Sequence, residues 1–194
     1  MSLRYAVLAS LLDGEASGYE LGKRMDVSVV NYWRASRQQI YAELNRLHRD
    51  GLADARDELQ SGRPNKRVYT ITRAGKAALR DFTVQPSRSH AIKDELLIKV
   101  QAADIGDLPA VIAGLEMRHT ECADRLEIYE HLIESYRRGR SEDDYLASAR
   151  RIGPYLNLRR GRDFEKENLA WLEWATKALR NRLARTSPAR AKRP

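Results

Sequence analysis

The 194-residue sequence predicts a mainly α-helical protein with one small two-stranded β-hairpin. Three patterns carry this prediction: apolar residues at helical spacing in both halves of the chain, capping motifs before two helices, and a β-branched, aromatic run after a turn. Charged residues make up 32% of the chain and aromatic residues 7%, which suits helices with large solvated faces. A chain of this length can form one or two domains with a real core.

Residues 1–85 are expected to fold in the order helix, helix, helix, strand, strand, helix. Ser17 with Glu20 and Ser36 with Gln39 have the spacing of capping boxes, in which two side chains satisfy backbone N–H groups at a helix start. The expected elements are helices at Leu3–Leu12, from Ser17 to about Met25 and at Ser36–Arg49, strands at Leu52–Leu59 and Lys66–Thr72, and a helix from Thr72 to about Phe82.

The third helix has two contrasting faces. Ile40, Leu44 and Leu47 recur at helical spacing and are expected to be buried. The opposite face carries amide and guanidinium donors, which are the groups that contact base edges and phosphates. The residues expected on that face and its flanks are Gln38, Tyr41, Ala42, Asn45, Arg46 and Arg49.

A basic hairpin follows this helix. Its predicted turn is Ser61-Gly62-Arg63-Pro64-Asn65, and Arg63, Lys66 and Arg67 are expected to contact phosphates or an adjacent minor groove. An ordinary solvated turn is the alternative for these cations. A capped helix with a polar face and a basic hairpin together predict a winged helix-turn-helix that binds double-stranded DNA, with the Ser36–Arg49 helix in the major groove.

The net charge of +8 is unevenly distributed. Residues 1–85 hold 14 Lys and Arg against 10 Asp and Glu, residues 86–184 hold 17 of each, and the last ten residues add four Arg and Lys. A basic first half and a basic tail around a neutral middle favour a polyanionic partner.

The second half predicts long helices that dimerise. From Leu108 to Tyr136, apolar and semi-polar residues alternate in threes and fours, which is typical of a coiled-coil-like stripe, and Asp107 and Gly139 suit its ends. We expect helices of this length to need a partner chain to bury their apolar stripes. The residues expected at that dimer interface are Leu108, Ile112, Leu115, Leu126, Tyr129, Ile133, Leu169, Trp171 and Leu172.

Catalytic patterns are lacking. Gly18 to Lys23 superficially matches a phosphate-binding loop, but only three residues separate its glycines and Arg24 follows the lysine. His119 and Cys122 are three residues apart on the helical stripe and lack a second pair, so a packed histidine is favoured over a metal ligand. We therefore expect no enzyme, no metal and no cofactor. The alternatives are a winged-helix adaptor without DNA binding and a non-specific DNA-binding protein.

The order and spacing of several motifs resemble the PadR family of bacterial transcriptional regulators over most of residues 3 to 183. One departure is Ala35, where the family usually has Pro. The matching pieces are Tyr5-Ala6-Val7-Leu8, Ser17-Gly18-Tyr19-Glu20-Leu21, Ser36-Arg37-Gln38-Gln39-Ile40-Tyr41, Leu44-Asn45-Arg46-Leu47-His48-Arg49-Asp50-Gly51-Leu52, Gly62-Arg63-Pro64, Val68-Tyr69-Thr70-Ile71-Thr72 and Asp94-Glu95-Leu96-Leu97-Ile98-Lys99.

The resemblance implies functional roles. Ser36, Gln38 and Tyr41 would contact DNA, Arg63 would belong to the wing, and the protein would be a dimeric repressor. Trp171 and Trp174 could line an aromatic effector pocket, as in some relatives of this family, although anchoring a helix interface is favoured.

The complete expectation is a sequence-specific transcriptional regulator that binds an inverted-repeat operator as a homodimer. Its DNA contacts would be Ser36, Arg37, Gln38, Tyr41, Asn45, Arg46, Arg49, Arg63, Lys66 and Arg67. A small-molecule effector, aromatic or other, would release it, and no membrane partner is expected in a cytoplasmic protein. The expected domains are a DNA-binding domain at 1–85, a helical dimerisation domain at 90–184 and a disordered basic tail at 185–194.

Overall fold

The computed structural model describes residues 2–28, 35–58, 66–87 and 93–186. The chain divides into two compact units, residues 1–89 and residues 90–194. Within the described ranges, no helix is both long and apolar enough to cross a membrane.

The described residues of the first unit form four helices and a small antiparallel sheet, so the predicted fold class is confirmed. The elements are α1 (Ser2–Ser10), a 3-10 turn (Leu11–Asp13), β1 (Ala16–Ser17), α2 (Gly18–Ser28), α3 (Arg37–Arg49), β2 (Ala53–Glu58), β3 (Lys66–Ile71) and α4 (Arg73–Thr83). The sheet order is β1-β3-β2, in which Tyr69 of β3 pairs with Ala16 on one side and with Ala55 on the other.

Strand β1 extends the predicted two-stranded wing to three strands. It has only two residues, and both are buried against β3. Because the segment is too short to show an alternating pattern, the sequence indicates no strand there.

One apolar core holds the first unit together. It includes Leu8 from α1, Leu21 from α2 and Leu44 from α3, each fully buried. The close approach of α4 depends on Gly75, where an added Cβ would lie 2.1 Å from the carbonyl oxygen of Leu52. These contacts fix α3 against the rest of the unit and leave its other face to solvent.

Between residues 93 and 186, the second unit forms four helices. A buried cluster of Leu115, Cys122 and Leu172 joins the two long helices within one chain. A second cluster contains four tyrosines, Tyr129, Tyr136, Tyr145 and Tyr155. The helices are α5 (Glu95–Gln101), α6 (Leu108–Arg137), α7 (Glu142–Ser148) and α8 (Gly153–Thr186).

A charged pair crosses between α6 and α8. Glu165, only 1% exposed, accepts hydrogen bonds from Nε and Nη2 of Arg125 at 2.8 and 3.2 Å. The same Nη2 lies 3.2 Å from Sγ of Cys122. A shift of α6 along α8 would separate the two groups and leave the buried Glu165 charge unpaired, which is costly. The pair therefore favours one alignment of the two helices.

Candidate nucleic-acid interface

The start of α3 is fixed by the predicted capping box. The Ser36 hydroxyl accepts a hydrogen bond from the Gln39 amide at 3.2 Å, and the Gln39 side-chain oxygen accepts one from the Ser36 amide at 2.8 Å. The hydroxyl only accepts in this cap, so its own proton remains for a phosphate oxygen. Ala35, the departure noted from the sequence, packs against the core, and the cap is intact.

Helix α3 has the two faces that the sequence predicts. Ile40, Leu44 and Leu47 are at most 1% exposed, and they hold the helix on the core. The exposed residues of the opposite side are Gln38, Tyr41, Ala42, Asn45, Arg46 and Arg49.

Two contacts orient the polar side chains of this face. The Tyr69 hydroxyl donates to Oδ1 of Asn45 at 3.0 Å, so strand β3 turns the amide NH₂ of Asn45 towards solvent. Arg46 lies 3.5 Å from the carboxylate of Glu43, a weak ion pair that leaves most of the guanidinium exposed. The amide of Asn45 is therefore positioned to donate to acceptors on a base edge.

A shallow depression joins α3 to the wing. Its lining residues include Arg46, Arg49 and Arg67 together with Asn45. Arg67 is exposed, 5.8 Å from the Tyr69 ring centroid and 3.9 Å from Asp57. Cations and an amide on one surface suit phosphate contacts beside a base contact.

Arg37 mainly braces α2 against α3. Its Nη1 donates to the backbone oxygen of Tyr19 at 2.9 Å, and its Nη2 pairs with Asp26. Gly22 makes room for it, because an added Cβ would lie 1.8 Å from Nη1. The sequence predicts a DNA contact by Arg37. Such a contact would have to use the N–H groups of the guanidinium that these two interactions do not occupy.

Tyr41 packs on the first turn of α2. An added Cβ on Gly18 would lie 2.3 Å from the Tyr41 ring, so the glycine permits this close approach. The tyrosine is still 44% exposed. Its hydroxyl can therefore reach a phosphate while its ring fixes the distance between α2 and α3.

Lys66 is paired within the protein. Its Nζ lies 2.7 Å from Oε1 of Glu20. The other carboxylate oxygen, Oε2, accepts hydrogen bonds from the amide and the hydroxyl of Ser17, both at 2.9 Å. The pKa of Glu20 is lowered to about 2, mainly by the Lys66 ammonium and secondly by the Ser17 amide. The Glu20 carboxylate in turn raises the pKa of Lys66. The predicted phosphate contact by Lys66 would compete with this bond, and Arg63 lies outside the described residues.

Tyr19 belongs to the same surface and was not predicted as a site residue. It is 56% exposed, with the Lys23 ammonium 4.9 Å and the Arg37 guanidinium 5.7 Å from its ring centroid. The sequence feature that could have identified Tyr19 is its position in the first turn of a capped helix, four residues before Lys23 and thus on the same helix face.

The predicted dimer residues differ in their burial within the single chain. Leu115, Tyr129, Ile133 and Leu172 are at most 4% exposed within a single chain. Helices α5, α7 and α8 of the same chain pack on the α6 stripe and cover these four side chains, and the dimer interface stays a prediction. Of the other predicted interface residues, Ile112 is also buried, and Leu108, Leu126, Leu169 and Trp171 are half-buried.

The histidine, cysteine and second tryptophan of this unit have distinct settings. His119 Nε2 lies 3.2 Å from a Glu173 carboxylate oxygen, and burial raises the pKa of the Cys122 thiol to about 11. Among the described residues, no three His, Cys, Asp or Glu side chains are grouped to hold a metal. Trp174 is 67% exposed, whereas Trp171 packs on the cluster of Leu115 and Leu172.

Family models match both units of the chain. The model described as the transcriptional regulator PadR-like family matches residues 7–81, which include α3 and the wing. The model described as the virulence activator alpha C-terminal region matches residues 92–180.

Individual relatives match nearly the whole chain. A probable transcriptional regulator of Mycobacterium tuberculosis, Rv1176c, is 31% identical over 94% of this chain and 100% of its own length. The negative transcriptional regulator PadR of Bacillus subtilis is 30% identical over 88% of this chain and 93% of its own.

The Bacillus subtilis protein has also been solved with two kinds of ligand. The crystal structure of PadR in complex with operator DNA has a TM-score of 0.72 and 26% identity, and covers 92% of this chain and 99% of that one. The structure in complex with p-coumaric acid has a TM-score of 0.65 and 25% identity, and covers 91% of this chain and 94% of that one.

Proposed function

Because this chain belongs to the PadR-like family of transcriptional regulators, we propose that it is a homodimeric repressor that binds an inverted-repeat operator through α3. DNA-binding transcriptional regulation is the function of the family, and the relatives that match this chain are named as regulators rather than enzymes. The observation that carries the finer proposal is the exposed polar face of α3, fixed by its cap and its buried stripe.

In this proposal, α3 lies in the major groove. Gln38 and Asn45 contact base edges, because their amides are exposed on the central line of the polar face. The proposed phosphate contacts are Ser36, Tyr19, Tyr41, Arg46, Arg49, Arg63 and Arg67, with smaller contributions from Arg37 and Lys66, which are already paired within the protein.

The proposed dimer forms through the second unit. Exposed apolar side chains remain there after the long helices have packed: Ile98 is 69% exposed, Met117 65% and Ile105 93%. A second copy of the chain would cover such residues, and a two-fold dimer would present two α3 helices to successive major grooves, about 34 Å apart or a multiple of this.

Repression and an effector are also proposed. The Bacillus subtilis relative is named a negative regulator and was solved with p-coumaric acid. We infer that a small aromatic carboxylate shifts this protein between states of different operator affinity. Such control requires the ligand to bind one state more tightly than the other.

The test is a binding selection from a random duplex pool, sequenced and repeated at two salt concentrations. The proposal predicts enrichment of an inverted repeat whose half-sites are one or more helical turns apart. Retention without an enriched motif would indicate a non-specific DNA-binding protein, and no retention would favour an adaptor; either outcome would overturn the proposal.

A further inference from the structure

Tyr69 is a buried tyrosine whose hydroxyl reaches the exposed face of α3. The residue is 3% exposed and belongs to the core of the first unit. Its hydroxyl donates to Oδ1 of Asn45 at 3.0 Å, and Asn45 itself lies exposed on α3. Through one hydroxyl, the core therefore holds a side chain that faces solvent on the proposed DNA-binding surface.

The backbone around Tyr69 fixes the position of its ring. Strand β3 is the central strand of the sheet, and Tyr69 pairs with Ala16 of β1 and with Ala55 of β2. Directly paired residues of antiparallel strands point to the same face of a sheet, so a methyl group flanks the ring on each side. A ring held by two neighbouring strands and by the core places its hydroxyl at a defined point beside α3.

The hydrogen bond gives the Asn45 amide a direction. Burial raises the pKa of the Tyr69 hydroxyl, which therefore keeps its proton at neutral pH and can donate it. A side-chain amide has an acceptor oxygen on one side and an NH₂ group with two donors on the other. Because Oδ1 faces Tyr69, the Nδ2 group with its two N–H donors is the end of Asn45 that remains for a base.

Gln38, the other proposed base contact, provides a contrast. It is also exposed on α3, but among the described residues no hydrogen bond holds its side chain. Its amide is free to turn and to present either its oxygen or its NH₂ group to a base edge. Of the two amides proposed to contact bases, the described contacts fix only that of Asn45.

The orientation of an amide decides which bases it can contact in the major groove. Guanine presents acceptors at N7 and O6, adenine at N7 and thymine at O4, whereas cytosine presents only the N4 amino donor. An NH₂ group held towards the bases matches these acceptors and meets a second donor at cytosine. An amide that can turn would instead accept from cytosine N4 through its oxygen.

We propose that Tyr69 is a positioning residue for base recognition: its hydroxyl holds Asn45 as a donor and so excludes cytosine from the base that Asn45 contacts. The inference rests on the proposed placement of α3 in the major groove, and it adds the residue that selects among bases there. Loss of the hydroxyl should let the Asn45 amide turn, so that cytosine becomes tolerated. A purely structural role of Tyr69 would instead weaken binding to all bases alike.

The experiment measures binding of the full-length protein to matched operator duplexes by fluorescence anisotropy. The operator comes from the random-pool selection, and the base pair tested is the one whose preference Asn45→Ala relaxes. Two duplexes carry this pair as G·C in its two orientations, and a third has 7-deazaguanine in the better-bound orientation. The wild type should bind one orientation at least about fivefold more tightly than the other. The 7-deazaguanine duplex should bind more weakly, because it lacks the N7 acceptor of a guanine placed at Asn45.

The variants separate positioning from stability. Tyr69→Phe should reduce the preference between the two orientations to about twofold or less. The same substitution in an Asn45→Ala background should change the preference no further, because the two side chains act as one unit. The matched control is Tyr155→Phe, which removes another buried hydroxyl that donates to Oε1 of Glu142 at 2.8 Å in the second unit. It should keep the wild-type preference, and thermal unfolding checks that each variant is folded.

Three results would overturn the inference. They are an unchanged preference in Tyr69→Phe, no preference between the orientations in the wild type, and wild-type binding that 7-deazaguanine does not weaken, which would place cytosine at Asn45. A wild-type motif retained by Asn45→Ala would overturn it as well. Any of these results from a protein that enriches an operator contradicts this inference alone, whereas a protein that enriches no operator contradicts the proposed function and this inference with it.

Discussion

At the scale of single residues, Glu20 connects the wing to the helix that precedes α3. It caps α2 through Ser17 and holds Lys66 of β3 at 2.7 Å. Ser17 lies three residues away and Lys66 lies 46 residues away, so only the cap could be predicted from sequence. The ion pair depends on the pairing of β1 with β3, which brings distant residues together.

The Glu20 carboxyl predicts a dependence of stability on pH. Its pKa is about 2 in the folded protein against an ordinary value of 4.5. A lowered folded-state pKa adds stability above the unfolded value, and this contribution is lost as the pH falls to the folded value. We therefore expect Glu20→Gln to be less stable than the wild type at about pH 6, with a difference that shrinks towards about pH 2. Urea unfolding across this range measures it, and a constant difference would contradict the assignment.

Arg67 and Lys66 should differ in their effect on DNA binding. Arg67→Gln should weaken binding to all sequences and lower the slope of log K against log salt by about one, because one phosphate contact is lost. Lys66→Gln should change the slope less, because Glu20 already pairs with its ammonium. Anisotropy titrations at several salt concentrations compare the two. Equal slopes for Arg67→Gln and the wild type would place Arg67 away from the phosphates.

At the scale of elements, the caps determine where helices begin. Ser36→Ala should lower stability by about 1 kcal/mol, since it removes the N-cap of α3, and it should also weaken DNA binding. The matched control is Thr72→Ala, because Thr72 caps α4 by accepting from the Gly75 amide at 3.0 Å. The control should lower stability without a comparable loss of DNA affinity. Equal losses of affinity in both variants would show that the α3 cap has no special role.

Elements with local signals were predictable. The caps at Ser36, Thr72 and Asp107 involve residues within three positions, and all three are formed as the sequence indicates. Gly139 follows α6 with a φ of 76°, as expected of a residue that ends a helix.

Elements that depend on distant partners were not predictable. Strand β1 exists because β3 lies beside it, and the α6 stripe is buried because α8 of the same chain returns along it. The hydrophobic period of α6 indicates that its apolar stripe packs against another helix. The period does not tell whether that helix belongs to the same chain or to a second chain.

At the scale of the whole molecule, the proposed dimer predicts the effect of a surface charge. Ile98→Glu should convert the dimer to monomers, because Ile98 is 69% exposed and its replacement leaves the core of the chain untouched. Val84→Glu is the control, since Val84 is 84% exposed but lies in the first unit. Sedimentation equilibrium should give twice the 22.2 kDa chain mass for the wild type and the control. A dimeric Ile98→Glu protein would place the interface elsewhere.

The central claim is that α3 recognises base sequence. The most direct measurement is to repeat the random-pool selection with Gln38→Ala and with Asn45→Ala and compare the enriched motifs with that of the wild type. Each substitution should cost about 1–3 kcal/mol on the wild-type operator and relax base preference at one position in each half-site, with the half-site spacing unchanged. Motifs identical to the wild-type motif in both variants would contradict the claim and show that neither side chain contacts the bases.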